Sequence, residues 1–207
     1  MNAISLSRMA RLTQGLLLSG AACAALSGCI SLAPKVPNQL LSLTPAHSAP
    51  SGDLASASLK DALVITEPDA DRSLDVMRVP VRVDNSSIAY LKDASWMEKP
   101  TREFRDLLAE TIRANSGKLV VVDSDFEEPG QTVLSGRLLD MGYVAATHTV
   151  VVRFDAILNQ PGAKVVTRRF EASVPNVEAK AAAVGPALNT AANQVAQQVA
   201  DWMKTQG

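Results

Sequence analysis

Three long, consecutive β-strands between residues 131 and 174 constrain the fold more than any other feature of the sequence. They are predicted at 132–144, 149–159 and 164–174. The pair Pro161-Gly162 separates the last two strands and supplies the residues that the central positions of a type II turn favour. In the middle strand, apolar side chains occupy every second position, at Val150, Val152, Phe154, Ala156 and Leu158. This alternation, with short connections, predicts an antiparallel meander that has one buried face.

Two amphipathic helices are predicted beside these strands. The first spans 98–115, with Pro100 suited to its first turn and Gly117 to the position after its last residue. Its apolar side repeats at helical spacing, at Phe104, Leu107, Leu108, Thr111 and Ile112. The second helix spans 186–204. Gly185-Pro186 is expected to start it, or to kink it if helical structure already runs through 178–184.

Shorter segments complete the fold. Short strands are predicted at 39–43, 62–66, 76–83, 87–91 and 118–122. Pro80 indicates that the third of them is an edge strand or contains a bulge. Residues 69–73 resemble a turn, and 44–58, rich in Pro, Ser, Ala and Gly, resemble a loop. This order predicts a single α/β or α+β domain, in which two amphipathic helices pack on a mixed, mostly antiparallel sheet.

The overall composition excludes several functional classes. The 207 residues are 47% hydrophobic and 20% charged, which is typical of one folded domain. A formal net charge of −1 provides no general attraction to nucleic acid, so no nucleic-acid partner is expected. Two histidines and two cysteines are too few for a four-ligand zinc site together with an acid–base pair. We therefore expect neither a metal nor another cofactor.

The N-terminus has the pattern of an export signal. Arg8 and Arg11 precede an apolar run at 16–26, and no acidic residue occurs before position 53. A helix of this length rises about 16 Å, roughly half the hydrocarbon core of a bilayer. The run is too short to span a membrane and is typical of a secretory signal peptide.

The signal ends with Leu26-Ser27-Gly28-Cys29, which resembles the bacterial lipobox. The resemblance implies that the signal peptide, residues 1–28, is removed. It also implies that Cys29 carries an S-linked diacylglycerol and that its new α-amino group is acylated, for example with palmitate. The alternative is a plain secretory signal with a chance cysteine nearby.

The residues around Cys29 predict how the mature chain is organised. Residues 29–58 are expected to form a lipidated N-terminus and a Pro/Ser-rich tether with one short strand, and 59–207 the folded domain. Cys23 fits a lipobox less well, because Gly20 stands where a branched apolar residue is required. No aspartate follows Cys29, unlike in the inner-membrane retention signal. We expect an outer-membrane lipoprotein that faces the periplasm, with inner-membrane retention as the alternative.

Side chains suited to catalysis or metal binding are sparse. His47 lies in the predicted loop, His148 lies beside a predicted hairpin turn, and no serine stands in a Gly-x-Ser-x-Gly motif. Asp69, Asp71 and Asp75 have loop-like spacing but lack the glycine and terminal glutamate of an EF-hand, so solvated turn carboxylates are the better interpretation. No phosphate-binding glycine loop occurs. The sequence predicts no enzyme, and the ATPase of any transporter would be another chain.

Two pairs of residues are candidates for surface contacts. Arg168-Arg169 could bind lipid phosphate, but adjacent strand residues face opposite sides, so a solvated strand is the better interpretation. Tyr90 and Trp96 flank a predicted connection from strand to helix. They are candidate partner contacts, because aromatic residues are scarce in this chain. Ordinary core packing is the better interpretation of Tyr90 and Trp96.

Several short motifs, in this order, resemble the ABC-type transport auxiliary lipoproteins, the lipoprotein partners of MCE-type (mammalian cell entry) transport systems such as Pqi. The motifs are Met77-Arg78-Val79, Ile88-Ala89-Tyr90-Leu91, Ala94-Ser95-Trp96, Leu134-Ser135-Gly136-Arg137-Leu138, Arg169-Phe170-Glu171 and Val199-Ala200-Asp201-Trp202. The resemblance implies a lipid-anchored auxiliary subunit of an MCE-domain protein, an ABC permease and an ATPase. Such systems move phospholipids or other hydrophobic compounds between the inner and outer membranes. No catalytic residue carries over, only Cys29.

Other functions stay open beside this resemblance. One is a lipid-binding module that carries the cargo itself, which requires a sizeable apolar cavity. Another is an envelope scaffold or assembly lipoprotein, such as a pilotin or a TolB-like interaction domain. A lipoprotein hydrolase is a more distant alternative. A homo-oligomer is compatible with the oligomeric state of MCE proteins.

Overall fold

The structure is a computed structural model that describes residues 40–52, 55–122 and 129–206. The predicted signal peptide, the lipobox, Cys29 and the first part of the tether lie outside these residues. Neither of the long helices found within them has the length and apolar character needed to cross a bilayer. The elements are β1 (Leu63–Ile65), β2 (Asp69–Ala70), β3 (Arg78–Arg82), β4 (Ile88–Ser95), α1 (Pro100–Ser116), β5 (Val120–Val122), β6 (Thr132–Val144), β7 (Thr149–Asn159), β8 (Val166–Val174) and α2 (Ala181–Lys204).

Strand β6 organises an eight-stranded mixed sheet. One edge of β6 pairs antiparallel with β7, and β7 pairs antiparallel with β8. The other edge pairs successively with β1, β2 and β3, all parallel to β6. Strand β5 extends the sheet beyond β1, and β4 extends it beyond β3. The predicted meander and the mixed sheet, in which the longest ladders are antiparallel, are confirmed.

Both helices pack on the same face of the sheet. Phe154 of β7 and Phe170 of β8 are register partners, so their side chains lie on one face. Phe104 of α1 contacts Phe154 edge-on, with ring centroids 5.2 Å apart, and Trp202 of α2 contacts Phe170 at 5.5 Å. The alternating apolar residues of β7 are at most 1% exposed, which confirms the predicted buried face. These aromatic contacts join both helices to the sheet in one core.

Gly136 of β6 allows β7 to approach closely. A Cβ atom at this position would lie 2.1 Å from the backbone oxygen of Asp155 and 2.7 Å from Cζ of Phe154. Both distances are far below van der Waals contact, and a strand backbone cannot rotate away as a side chain can. Only glycine therefore fits at this point of the ladder.

Strands β2 to β4 differ in part from the prediction. The bulge predicted at Pro80 is confirmed, because the β3–β4 register shifts between Arg78 and Pro80. The edge position is wrong, since β3 lies between β4 and β6. Strand β4 continues to Ser95, beyond the predicted 87–91. The predicted turn at 69–73 begins with the short strand β2, which pairs with β6.

Helix α2 begins at Ala181, so Gly185-Pro186 does not start it, and the alternative of helical structure before this pair holds from Ala181 onwards. Pro186 is the sixth helical residue, and its missing N–H removes only the bond to the carbonyl of Ala182. Val184, in the additional turn, is fully buried. This burial extends the apolar face of α2 towards its N-terminus and offsets the cost of the proline.

Candidate functional site

An extended segment at residues 41–49, here called the strap, lies between α1 and α2. It begins with a parallel β-bridge between Leu41 and Trp96, which is all of the predicted strand 39–43 found among the described residues. The Leu41 N–H donates to the Ser95 carbonyl, and the Met97 N–H donates to the Leu41 carbonyl, each at 2.8 Å. A Cβ atom on Gly185 of α2 would lie 2.8 Å from Cδ2 of Leu41, so this glycine makes room for the strap.

Two carboxylates of α1 bind the strap through its backbone. The Leu43 N–H donates to Oε2 of Glu103, and the Ala49 N–H donates to Oε1 of Glu110, both at 2.8 Å. The other oxygen of Glu110 pairs with Arg113 at 2.5 Å, which holds the carboxylate in place. Because ionised acceptors form the stronger hydrogen bonds, these contacts fix one side of the strap.

Two amides of α2 bind the strap from its other side. Oδ1 of Asn189 accepts from the Thr44 N–H at 2.8 Å. Oδ1 of Asn193 accepts from the Ala46 N–H at 2.7 Å, and its Nδ2 donates to the Thr44 carbonyl at 2.9 Å. As the strap proceeds, its contacts advance along both helices towards their C-terminal ends. The strap and the two helices therefore run in the same direction.

Asn193→Ala is expected to release the middle of the strap, because this side chain bonds to both Thr44 and Ala46. We expect the free energy of unfolding to fall by about 1–2 kcal/mol and limited proteolysis within the strap to become severalfold faster. Gln194→Ala, at the exposed neighbouring position, is the matched control. Equal cleavage rates in the two variants would show that the Asn193 bonds do not hold the strap.

Burial raises the pKa of the Glu103 carboxyl above its ordinary value of 4.5, and the Leu43 N–H opposes the shift. The folded chain then binds more protons than the unfolded chain between the ordinary and the raised pKa. Stability therefore falls as the pH rises through that interval, and the loss persists above it.

Glu103→Gln is expected to remove this pH-dependent loss, because glutamine keeps an oxygen that accepts from the Leu43 N–H. Relative to the unsubstituted chain, the variant should gain stability as the pH rises through the interval. The gain should stay below about 1 kcal/mol, since Glu103 is partly solvated. Urea unfolding from about pH 4 to pH 7 measures the difference. A relative loss of stability in the variant over this range would contradict the assigned direction of the pKa shift.

The two histidines lie on different elements. His47 is exposed in the strap. His148 follows β6 with a φ of 51°, and its Nδ1 lies 3.0 Å from the hydroxyl of Tyr143. That hydroxyl donates to the Val177 carbonyl at 2.8 Å, and the Val177 N–H donates to the His148 carbonyl at 2.9 Å. These bonds give His148 a structural part, because they tie the β6–β7 turn to the segment before α2.

Two of the three aspartates with loop-like spacing form ion pairs at the surface, and Asp69 lies in β2. Asp71 pairs with Arg137, and Asp75 pairs with Lys99 at 2.6 Å. Within 40–52, 55–122 and 129–206, no three His, Cys, Asp or Glu side chains come together as metal ligands. The positions of Asp71 and Asp75 agree with the interpretation as solvated turn carboxylates.

Tyr90 and Trp96, the candidate partner contacts, do not share a surface. Trp96 is 1% exposed, so of its two interpretations core packing holds and the partner contact does not. Their even spacing would place them on one face of a regular strand, but three residues of β3, 78–80, face six residues of β4, 90–95, and Asp93 has a φ of 55°. Tyr90 is half-buried, with the Arg78 guanidinium 4.5 Å from the centre of its ring.

The sheet face opposite the helices carries paired charges. Arg169 makes two hydrogen bonds to Asp155, at 2.6 and 2.7 Å, which lower the pKa of that carboxyl. Arg153 bridges Asp140 and Glu171 at 2.6 and 2.5 Å. Arg169 is thus already neutralised by a carboxylate. The expectation of a solvated strand describes this face better than a phosphate site does.

Arg168 lies on the opposite side of β8 from Arg169, as the strand geometry predicts. Its guanidinium is 5.3 Å from the centre of the Phe170 ring. The two adjacent arginines therefore do not form one cationic site.

Two surface clefts among the described residues hold about 340 and 280 Å³. The first lies beside the strap and is lined by His47, Thr111 and polar side chains of α2, including Gln194 and Gln197. Pockets for drug-sized ligands span about 300–1,000 Å³ and are mostly apolar. Clefts of this size are small for a phospholipid with two acyl chains.

The side chains that hold the strap were not among the candidate residues taken from the sequence. The spacing of Asn189 and Asn193, one helical turn apart in an alanine-rich segment, is the local signal that could have indicated them. The backbone groups that these asparagines bind belong to Thr44 and Ala46, about 145 residues earlier in the chain. A pattern within one helix does not identify such a distant partner.

The model of the family described as ABC-type transport auxiliary lipoprotein component matches residues 41–200, from the strap into the last turns of α2. A solved protein from Xanthomonas campestris, assigned to the family DUF330, is 20% identical with a TM-score of 0.60. The match covers 81% of this chain and 92% of that one. A second solved structure, of an uncharacterized protein, is 14% identical with a TM-score of 0.60. That match covers 80% of this chain and 99% of the other. No curated protein sequence is significantly similar.

Proposed function

The chain belongs to the ABC-type transport auxiliary lipoproteins, and on that premise we propose that it is the non-catalytic, lipid-anchored subunit of an MCE-type transport system. Such a subunit is held at the outer membrane through Cys29 and faces the periplasm. It assists an MCE-domain protein, an ABC permease and an ATPase in moving phospholipids or other hydrophobic compounds between the two membranes. The observation that carries this proposal is the family match that starts at the strap, shortly after the lipobox Leu26-Ser27-Gly28-Cys29.

The anchor in this proposal consists of the acyl chains on Cys29. Each buried methylene contributes about 0.8 kcal/mol, so one chain binds a membrane reversibly and two or more bind it stably. Residues 1–28 are the proposed signal peptide, 29–58 the lipidated N-terminus and tether, and 59–207 the auxiliary domain. The strap, 41–49, is then the part of the tether that is hydrogen-bonded to both helices of that domain.

The side chains and clefts support a docking role rather than a cargo-carrying one. The clefts beside the helices, of about 340 and 280 Å³, are small for a phospholipid with two acyl chains. Arg153 and Arg169 are engaged by carboxylates, which leaves them poorly suited to bind a lipid phosphate. Tyr90, at the partly exposed surface of the edge strand β4, stays a predicted contact for the transporter partner. Assembly into a homo-oligomer is likewise a prediction.

Crosslinking in intact cells, followed by mass spectrometry, tests the proposed partners. We expect the tagged native lipoprotein to recover an MCE-domain protein together with its permease or ATPase. Tyr90→Ala should lower this recovery severalfold, because an aromatic anchor contributes strongly to an interface. Thr167→Ala, at an exposed position on the distant edge strand β8, is the matched control.

Other crosslinked partners would contradict the proposal. Secretion or cell-wall components without any MCE protein would favour an envelope scaffold resembling a pilotin or a TolB-like domain. Equal recovery from the Tyr90 and Thr167 variants would leave the transport role in place and overturn only the assigned contact.

A further inference from the structure

We propose that the domain rests on the lipid surface through Leu40, Met77 and Met97, at the end where the strap begins. These residues, here called the apolar end, are 52%, 37% and 61% exposed. The inference rests on the lipid anchor of the proposed function and adds which side of the domain meets the bilayer.

Hydrogen bonds hold the apolar end together from three segments of the chain. The Trp96 N–H donates to the Met77 carbonyl at 2.9 Å, and the Met97 N–H donates to the Leu41 carbonyl at 2.8 Å. Residues 95–97 are thus the middle segment, with Met77 on one side and the Leu40–Leu41 backbone on the other. Leu41 and Trp96 pack towards the core, so their neighbours Leu40 and Met97 point outwards.

The position at which the strap begins favours the lipid surface as the partner that contacts the apolar end. Leu40 follows Cys29 by eleven residues, which span at most about 40 Å when fully extended. From Leu43 onwards the strap is bonded to both helices, so the anchor acts on the domain at Leu40. The attachment point and the exposed apolar side chains therefore coincide. The interface of the bilayer, within reach of this point, is the phase that removes such side chains from water.

Two pairs of opposite charges lie beside the apolar end, and the guanidinium of Arg78, which follows Met77, lies over the Tyr90 ring. Lys99 contacts Asp75 at 2.6 Å, and Glu98 contacts Arg102 at 3.4 Å. These pairs provide no excess positive charge for anionic headgroups. The contact with the bilayer should therefore depend on apolar burial and change little with salt concentration.

Fluorescence quenching on the full lipidated chain tests the contact. Leu40→Cys or Met97→Cys supplies the one thiol that can react with an NBD fluorophore. The sulfur of Cys29 is not available, because lipidation converts it to a thioether. Val165→Cys is the matched control, since Val165 is 56% exposed. Val165 lies in the β7–β8 connection, as does Gln160. Gln160 lines a cleft with Gly117 and Met203, which lie at the C-terminal ends of the helices, so this connection is away from the apolar end.

The proteins are reconstituted into vesicles of phosphatidylethanolamine and phosphatidylglycerol that carry a nitroxide at a shallow acyl position. We expect quenching by the nitroxide at positions 40 and 97 to be at least about threefold that at position 165, at both low and high salt. Iodide in the water should quench in the reverse order. Equal nitroxide quenching at positions 97 and 165 would overturn the proposal.

A separate readout identifies a failure of the anchor itself. An unsubstituted chain that takes up the fluorophore at Cys29 and does not bind vesicles would overturn the proposed lipidation, and the proposed contact with it. A chain that binds vesicles but shows no quenching at the apolar end would overturn only the contact. The two failures are therefore distinguishable in one set of samples.

Discussion

Replacing Gly136 with alanine is expected to lower the free energy of unfolding by at least about 3 kcal/mol, a large fraction of the stability of a single domain. The added methyl group would lie 2.1 Å from the Asp155 carbonyl oxygen. Relief of this contact requires β6 and β7 to separate near Gly136 and its register partner Ala156. Chemical denaturation followed by circular dichroism measures the loss.

Two further variants separate this close approach from the general effect of replacing a glycine. Gly162→Ala, in the β7–β8 turn, has a φ of 72° and no atom within 4 Å of the new Cβ, so it should cost only about 1–2 kcal/mol. Adding Phe154→Leu to Gly136→Ala should recover little stability, because the Asp155 oxygen remains in place. Equal losses at Gly136 and Gly162 would show that contact across the ladder is not the cause.

Cys29→Ala is expected to abolish incorporation of labelled palmitate and to remove the chain from the outer-membrane fraction. The physical reason is the loss of every acyl chain, each methylene of which contributes about 0.8 kcal/mol when buried in the bilayer. Lipid trafficking should fall to the level of cells that lack the protein. Metabolic labelling, membrane fractionation and a lipid-transfer assay measure these three effects.

Cys23→Ala is the matched control for the anchor. Cys23 lies within the apolar run of the signal, where alanine is an acceptable replacement, so labelling and localisation should be unchanged. Loss of labelling in Cys23→Ala with retention in Cys29→Ala would move the lipidation site. Normal localisation of Cys29→Ala without any palmitate labelling would refute the anchor altogether.

The meander was predictable because its signals are local. Strands β6 and β7 have the bounds expected from the sequence, 132–144 and 149–159. In β7, alternate residues all pack under the helices, so the apolar pattern and the burial agree residue by residue. The predicted apolar face of α1 is confirmed for the same reason, and Gly117 ends that helix in the left-handed conformation.

Features that depend on contacts between distant parts of the chain were harder to predict from the sequence. The sequence left open whether Gly185-Pro186 starts or interrupts α2, because proline is favoured in the first turn of a helix. Burial of Val184 stabilises the earlier start at Ala181. The strap illustrates the same limit, since the bond between Thr44 and Asn189 joins residues 145 positions apart. Burial of Trp96 follows from irregular pairing of β4, which strand periodicity does not report.

The parallel course of the strap and the helices gives the domain a mechanical direction. The strap begins at Leu41, and the hydrogen bonds from Leu43 to Ala49 follow one another along the helix axes. Tension along those axes loads the bonds together, in shear. Tension across the axes breaks the hydrogen bonds one after another, beginning next to Leu41. The strap should therefore resist a force that a transport complex applies along the helices. A force applied across the helices should detach the strap from them more easily.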